Sequence, residues 1–287
     1  MRSWLFVPGD SERKIAKAEG IPADVVILDL EDAVAPANKD EARGCVAEYL
    51  VGATARRAKL VVRVNPLDSG LTSADLAAII AGRPDAIMLP KCRSAVDVAA
   101  LGVDLDALEA EHGLAPGAIG IVPIATELPE ALFALGGYGA AGARLNALTW
   151  GAEDLATAIG ATANRDETGD WSTPFQLARS LCLFGAAAAG VAAIDTLHAD
   201  FRDEAGLAAS ARRARRDGFT GKLAIHPDQV APINAAFTPS AEEIANAEAV
   251  IALFAANPDA GALSLDGKML DRPHLVQAQR ILTRASR

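Results

Sequence analysis

Residues 25–32 read VVILDLED, an apolar run that ends in Asp29, Glu31 and Asp32 with a single leucine between them. A short strand that is apolar at nearly every position is typical of a parallel sheet covered on both faces. The carboxylates follow at the point where such a strand ends. The stretch therefore predicts a buried parallel strand with acidic side chains at its carboxyl end.

Seven further segments share this apolar character, and Ala-rich helical stretches separate them. The predicted strands are 3–7, 25–28, 60–64, 86–89, 119–123, 147–150, 192–194 and 223–225. The predicted helices between them include 39–51, 73–80, 94–101, 129–135, 175–184 and 204–217. Eight strands with crossover helices, at about the 250 residues typical of the fold, predict an α/β protein with a (β/α)8 TIM barrel. An open doubly wound sheet is the alternative that the same alternation allows.

The pattern changes after Phe237. Residues 240–256 predict one longer helix with Ser240 as its N-cap, and a Gly- and Pro-punctuated stretch at 257–267 leads to a last helix from about Pro273. We therefore predict a barrel catalytic domain over residues 1–237. Residues 238–287 are expected to form a C-terminal helical arm or lid.

Composition excludes several classes of protein. The 287 residues carry 27 basic and 37 acidic side chains, a net charge of −10, which argues against a nucleic-acid or anionic membrane partner. No apolar run is long enough for a signal segment or a membrane span. Three cysteines without pairing spacing indicate a reducing compartment. We expect a soluble, cytoplasmic, globular protein.

Charged residues recur where the predicted strands end, which is where a barrel carries its chemistry. They are Asp29, Glu31, Asp32, Arg63, Lys91, Glu127, Glu153 and Asp154. Several carboxylates that converge in one mouth need a counter-charge, and an oxygen-bound divalent cation is the simplest one. Because no histidine pair has the spacing that suits zinc, we expect Mg²⁺, with Mn²⁺ as a substitute.

The acidic residues after two of these strands also have a structural interpretation. Glu127, Glu153 and Asp154 are equally suited to the first turn of a helix, where a carboxylate complements the helix dipole. Asp29 and Glu31 point to the same side of their strand by alternation, so one of them is expected to support the site rather than form it.

The two basic residues have alternatives of their own. Arg63 either pairs with Glu31 or uses its planar fork to hold a substrate carboxylate. Lys91 either pairs with neighbouring carboxylates or forms a Schiff base with a carbonyl substrate.

Taken together, the motifs resemble one known family. They are LFVPGD at 5–10, ILDLEDAV at 27–34, VRVN at 62–65, MLPK at 88–91, WGAEDL at 150–155 and IHP at 225–227, in that order. This set is similar to the citrate lyase beta-subunit-like family of the HpcH/HpaI aldolase superfamily, which includes malyl-CoA and citramalyl-CoA lyases. The resemblance covers nearly the whole chain. It implies a TIM barrel with a C-terminal extension, assembled as a homotrimer or homohexamer.

The resemblance also implies residue roles. Glu127 and Asp154 match the family's Mg²⁺ ligands, and Arg63 matches the arginine that holds the carboxylate of a 2-oxo acid. Asp271 matches an aspartate that the C-terminal arm of many members offers to a neighbouring subunit's site, where we expect it to act as the acid/base. One departure affects Glu127. The family's usual Glu-Thr-Ala is Thr126-Glu127-Leu128 here, so a one-residue shift would put Thr126 in the ligand position.

The remaining site predictions name residues that bind the substrate or its coenzyme and residues that support the metal ligands. Gly151 and Glu153 are expected at the substrate, and Arg13 and Lys17 at the phosphates of the coenzyme. Asp29, Glu31, Asp32 and Lys91 are expected to support the metal ligands.

The activity that the resemblance implies is Mg²⁺-dependent cleavage of a carbon–carbon bond in a β-hydroxyacyl-CoA, which yields a 2-oxo acid and an acyl-CoA. Alternatives at the same site are hydrolysis of an acyl-CoA thioester and condensation in the direction of malate synthase. A further alternative is a citryl-acyl-carrier-protein lyase subunit that works only within a complex.

Overall fold

A computed structural model describes residues 1–285 of the chain. These residues form two compact units, which divide after Asn234. In the first unit, eight parallel strands lie in the order β5-β4-β3-β2-β1-β8-β7-β6. They are Ser3–Pro8 (β1), Val25–Asp29 (β2), Lys59–Arg63 (β3), Ala86–Leu89 (β4), Gly120–Pro123 (β5), Ala147–Thr149 (β6), Ala192–Asp195 (β7) and Gly221–Ala224 (β8).

Two parallel bridges join the outer strands of this order. Ile121 pairs with Leu145, and Ile124 pairs with Thr149. The sheet therefore closes between β5 and β6, which confirms the TIM barrel and rules out the open doubly wound alternative. The interior is filled by apolar side chains from every strand, Trp4, Ile27 and Met88 among them. The carboxyl ends of all eight strands consequently meet at one mouth.

Helices follow the strands around this barrel. They are Glu12–Ala18 (α1), Lys39–Gly52 (α2), Thr72–Ile79 (α3), Ala95–Glu111 (α4), Glu153–Ile159 (α5), Thr173–Ala189 (α6), Glu204–Asp217 (α7) and Val230–Phe237 (α8). The helix predicted at 129–135 is instead a pair of 3₁₀ turns, Pro129–Phe133 and Leu135–Ala140. The glycines at 136, 137 and 139 explain the difference, because glycine disfavours a continuous helix.

The second unit contains α9 (Ala241–Ala256), a two-stranded antiparallel hairpin and α10 (Arg272–Ala285). Ser240 caps α9 in a capping box with Glu243, as the sequence predicts. The stretch predicted as an irregular connection contains the hairpin strands Ala262–Leu265 (β9) and Lys268–Asp271 (β10). Asp266 and Gly267 form its turn with positive φ. No helix within residues 1–285 is both long and apolar enough to cross a membrane.

Candidate active site

Arg63 occupies the end of β3 and is surrounded by carboxylates from β2. Its Nε and Nη2 donate to the two oxygens of Asp29 at 2.7 and 2.5 Å, and its Nη1 lies 2.7 Å from Oε2 of Glu31. The Arg63 side chain is 12% exposed and packs over the ring of Phe6. Burial opposes its charge most strongly, but the hydrogen bonds to Asp29 together with the charges of Asp29, Glu31 and Glu127 raise the pKa of Arg63. Asp29 takes the two-donor edge of Arg63 and Glu31 lies at its Nη1, so a substrate carboxylate would share Nη1 with Glu31.

Lys91 follows β4, and its Nζ contacts three carboxylates, two of them after β2 and one in the first turn of α5. Its Nζ donates to Glu31 and lies 3.5 Å from Asp32 and 3.4 Å from Asp154. Burial disfavours the ammonium most strongly, but the hydrogen bond to Glu31 together with the charges of Glu31, Glu127 and Asp154 raises the pKa of Lys91. Since a Schiff base requires a neutral amine, this environment favours the charge-paired interpretation of Lys91.

Glu127 lies in the mouth, whereas the Thr126 hydroxyl is turned toward the backbone of Gly151. The Thr126 hydroxyl is bonded to the backbone of Gly151, accepting from its amide at 3.1 Å and donating to its carbonyl at 3.3 Å. Glu127 is 3% exposed, and its Oε2 accepts a hydrogen bond from the Lys91 amide at 2.5 Å. Burial, reinforced by Asp154 and Glu31, raises the pKa of Glu127 to about 8. The structure therefore supports Glu127, rather than Thr126, as the candidate ligand.

Asp154 and Glu153 lie in the first turn of α5, which begins directly after the β6 end. Asp154 is one-third exposed and faces Lys91, whereas Glu153 is exposed and accepts from the Asn164 amide at 2.9 Å. Asp32, Glu153 and Asp154 line one cavity of about 560 Å³. Of the two neighbouring acids, Asp154 is therefore the one placed beside Glu127 and Lys91.

The mouth carries more negative than positive charge. Five carboxylates gather around two cationic side chains: Asp29, Glu31, Asp32, Glu127 and Asp154 with Arg63 and Lys91. No three His, Cys, Asp or Glu side chains of residues 1–285 are arranged to hold a metal ion by themselves. A pair of carboxylates nevertheless fits Mg²⁺, which commonly takes one or two protein carboxylates and fills its shell with water and substrate.

The coenzyme candidates lie beside a second opening. Arg13 and Lys17, with Lys14, line a cavity of about 570 Å³ together with the β1 end and the segment Ile225–Pro227. The ring of Phe201 stacks on His226 at 4.7 Å. This cavity combines basic side chains, which suit phosphates, with an apolar wall.

Asp271 ends β10 in the second unit. Its Oδ1 lies 2.5 Å from Nδ1 of His274, one turn into α10, and its side chain is 39% exposed. The contact joins the end of β10 to the first turn of α10.

Lys39 is a site residue that the sequence analysis missed. Its Nζ donates to the carbonyls of Leu30 and Glu31 at 2.6 and 2.8 Å and to Oδ1 of Asn65 at 2.8 Å. It therefore fixes the backbone that carries the carboxylates after β2. The only signal in the sequence is a lysine at the start of a helix, where an acidic residue suits the dipole better.

A closed eight-stranded barrel with carboxylates, a lysine and an arginine at the carboxyl ends of its strands has the arrangement of a TIM-barrel enzyme. The family model described as HpcH/HpaI aldolase/citrate lyase matches residues 2–227, and one described as C-C_Bond_Lyase of the TIM-Barrel fold matches residues 177–287. The chain belongs to the HpcH/HpaI aldolase/citrate lyase family.

Relatives and solved structures agree with this membership. The chain is 37% identical to the mitochondrial citramalyl-CoA lyase of Rattus norvegicus, over 99% of this chain and 86% of that protein. It is also 37% identical to a (3S)-malyl-CoA thioesterase of Cereibacter sphaeroides, over 99% and 94%. The structure of CitE from Mycobacterium tuberculosis in complex with magnesium, acetoacetate and coenzyme A is 33% identical, with a TM-score of 0.82 over 100% of this chain and 98% of that one.

Proposed function

We propose that this protein is a Mg²⁺-dependent carbon–carbon lyase that cleaves a β-hydroxyacyl-CoA of the malyl-CoA or citramalyl-CoA type. The products are a 2-oxo acid and an acyl-CoA. The observation that carries the proposal is the buried Glu127 beside Asp154 and Lys91 in the barrel mouth. The lyase relative and the CitE complex with magnesium, acetoacetate and coenzyme A support it.

Glu127 and Asp154 would hold the cation. Their fit rests on the surplus of carboxylates in the mouth and on the raised pKa of Glu127, which marks a carboxylate whose ionised form needs a positive partner. When bound, Mg²⁺ supplies Lewis-acid stabilisation of the negative charge that develops on a carbonyl oxygen, and Mn²⁺ is expected to substitute.

The other charged residues of the mouth hold the substrate or position the metal ligands. Arg63 presents its Nη1 edge to the 2-oxo acid carboxylate while Asp29 fixes the guanidinium plane. Lys91 stays an ammonium between Glu31 and Asp154 and fixes Glu127 through its own amide. Gly151 and Glu153 border the substrate at the β6 end.

Cleavage removes the proton of the β-hydroxyl group as it becomes the keto group of the 2-oxo acid, and the acyl-CoA fragment, which leaves as an enolate, takes up a proton on carbon. We assign this proton transfer to Asp271, acting on the site of a neighbouring subunit in a homotrimer or homohexamer. Arg13 and Lys17 would bind the coenzyme phosphates in the cavity beside β1. We place the protein in the cytoplasm because Cys45, Cys92 and Cys182 are free thiols.

A thioesterase is the second candidate, because the Cereibacter sphaeroides relative with that name is as similar as the lyase relative. Hydrolysis and condensation use the same site and differ in whether water reaches the thioester carbonyl. An acyl-carrier-protein lyase subunit would differ in turning over free acyl-CoA poorly.

The test is to incubate the protein with Mg²⁺ and a panel of β-hydroxyacyl-CoAs and acyl-CoAs and to identify the products by mass. A 2-oxo acid and an acyl-CoA in equal amounts support the lyase. Free CoA and a hydroxy acid would establish the thioesterase instead. Asp154→Ala and Glu127→Ala should abolish metal-dependent turnover in a folded protein, and full turnover after exhaustive chelation would refute the metal assignment.

A separate experiment tests Asp271. Asp271→Ala should lower kcat and leave Mg²⁺ binding nearly intact. Mixing Asp271→Ala chains with Asp154→Ala chains should restore part of the activity, because a mixed interface pairs an intact barrel with an intact arm. If mass measurement shows subunit exchange and activity stays absent, Asp271 does not serve a neighbour's site.

A further inference from the structure

A buried polar network lies behind the β6 end, and the mechanism above does not use it. Asp195, the last residue of β7, is 1% exposed. Its Oδ2 accepts from Nζ of Lys222 at 3.0 Å, and its Oδ1 accepts from Nε of Arg179 at 3.0 Å and from Nε1 of Trp150 at 2.8 Å. Lys222 is also 1% exposed and donates to the Thr196 carbonyl at 2.7 Å.

Asp195 is ionised, and it accepts hydrogen bonds from three side chains. Burial opposes its ionisation, but Lys222 and Arg179 outweigh burial and keep the pKa of Asp195 below its usual value. Because Lys222 and Arg179 fix the carboxylate, its Oδ1 is a rigid acceptor for the indole of Trp150. A buried ion pair is costly to desolvate. The presence of one is therefore weak evidence that the network serves stability alone.

Trp150 is the point at which this network reaches the active site. The residue is fully buried and directly precedes the segment Gly151–Asp154. Strand β6 is only three residues long, and its pairing with β7 ends at Thr149 opposite Ile194. The indole hydrogen bond to Asp195 is therefore the next connection to β7 after the strand ladder ends.

The residue after Trp150 is held from the β5 side. Gly151 is bonded to the Thr126 hydroxyl, one residue before Glu127. Its missing Cβ leaves space for Glu127, since a Cβ there would lie 2.8 Å from the Glu127 Cγ. The backbone between β6 and Asp154 is thus fixed by Asp195 on the β7 side and by Thr126 on the β5 side.

We propose that Asp195 is a positioning residue for the metal-binding pair: through the Trp150 indole, it fixes the backbone that places Asp154 opposite Glu127. The inference rests on the proposed metal site. Residues that orient metal ligands from behind typically change metal affinity 10–100-fold when they are removed.

The experiment compares Mn²⁺ binding, measured as free Mn²⁺ by electron paramagnetic resonance, with the thermal stability of each variant in EDTA. Trp150→Phe removes the indole donor and leaves Asp195 with both of its cationic partners. We expect its Mn²⁺ affinity to fall 10–100-fold. Asp217→Asn is the matched control, because Asp217 accepts from Arg179 at 2.7 Å in the same network without contacting the indole. Its Mn²⁺ affinity should stay within about twofold of the wild type, well short of the 10–100-fold change.

Two double variants test whether the Trp150 indole needs a hydrogen-bond acceptor on residue 195. Lys222→Met accompanies both of them, so that no buried ammonium loses its counter-charge. Asp195→Asn with Lys222→Met keeps an oxygen for the indole and should retain Mn²⁺ binding. Asp195→Leu with Lys222→Met has the same branched arrangement of side-chain heavy atoms but no acceptor, and it should lose affinity as Trp150→Phe does. If the leucine variant does not fold, the comparison of Trp150→Phe with Asp217→Asn decides.

The outcomes separate this inference from the proposed function. Wild-type protein that binds no Mn²⁺ refutes the metal site and the inference with it. If the wild type binds Mn²⁺ and Trp150→Phe binds it equally well, the positioning role alone is refuted. It is refuted as well if every variant, Asp217→Asn included, loses affinity in proportion to its loss of thermal stability.

Discussion

Gly151→Ala should displace Glu127 without straining the backbone. A Cβ on residue 151 would lie 2.8 Å from Cγ and 3.2 Å from Oε1 of Glu127, and atoms in folded proteins do not approach so closely. Gly151 is not among the residues with positive φ, so alanine itself is compatible with the backbone there. The conflict is therefore confined to the side chain that we assign to the metal.

The expected losses of stability and of metal affinity follow from how little room Glu127 has to move. Its side chain is 3% exposed, and its Oε2 is bonded to the Lys91 amide at 2.5 Å, so it has no solvent-filled space to enter. Overpacking of this kind costs about 1–3 kcal/mol of stability. Displacement of Glu127 relative to Asp154 should also weaken metal binding at least about tenfold, because the loss of contacts that orient metal ligands typically has an effect of this size.

Calorimetric titration with Mg²⁺ and urea unfolding in EDTA measure the two effects separately. Gly44→Ala in α2 is the matched control, because a Cβ there has no atom within 4 Å. It should leave Mg²⁺ affinity unchanged and stabilise the helix by about 0.5–1 kcal/mol. Unchanged Mg²⁺ affinity in Gly151→Ala would refute the reasoning, since Glu127 could then move without consequence and would not be a metal ligand.

Two further predictions concern buried ion pairs. Arg63→Lys should lose about 2–3 kcal/mol in urea unfolding, because lysine cannot reproduce both hydrogen bonds to the buried Asp29, and should weaken pyruvate or glyoxylate binding in calorimetry. Lost stability with unchanged 2-oxo acid affinity would make Arg63 purely structural. Hydrogen bonds from Arg144 lower the pKa of Glu109 from 4.5 to about 2, so this stabilisation is present above pH 4.5 and is lost as the pH falls toward 2. Glu109→Gln should therefore be destabilised by roughly 3 kcal/mol at pH 7 and approach the wild type near pH 2 in urea unfolding, whereas a constant difference would contradict the assignment.

The strands and the residues at their ends could be predicted because local sequence determines them. A buried parallel strand is apolar on both faces, so a charged residue in such a segment marks its end, as Asp29 and Lys91 do. The hairpin β9–β10 was missed because its strands alternate only weakly between half-buried and exposed positions and Gly267 dominates the local pattern. The partners of Arg63 depend on register, since Asp29 lies opposite it on the neighbouring strand.

The network around Asp195 shows what the sequence signal contained and what it lacked. A lysine within the strand GKLA and an aspartate that ends AAID are both unusual at buried positions, and together they indicate a pair. The contact of Asp195 with the Trp150 indole could not be inferred, because it depends on where a side chain beside the end of the neighbouring strand points.

The carboxylates of the mouth divide into two groups according to their counter-charges. Asp29 and Glu31 face Arg63 and Lys91 at hydrogen-bonding distance, so their charge is balanced within the chain. Glu127 receives only a backbone amide, and burial with the nearby Asp154 raises its pKa to about 8. A buried carboxylate without a cationic side chain at hydrogen-bonding distance, as Glu127 is, is unfavourable in the protein alone and becomes favourable when a cation binds. Four of the five acidic residues thus fall into two groups: Asp29 and Glu31 fix the basic side chains, and Glu127 and Asp154 form the pair that we propose as the metal ligands.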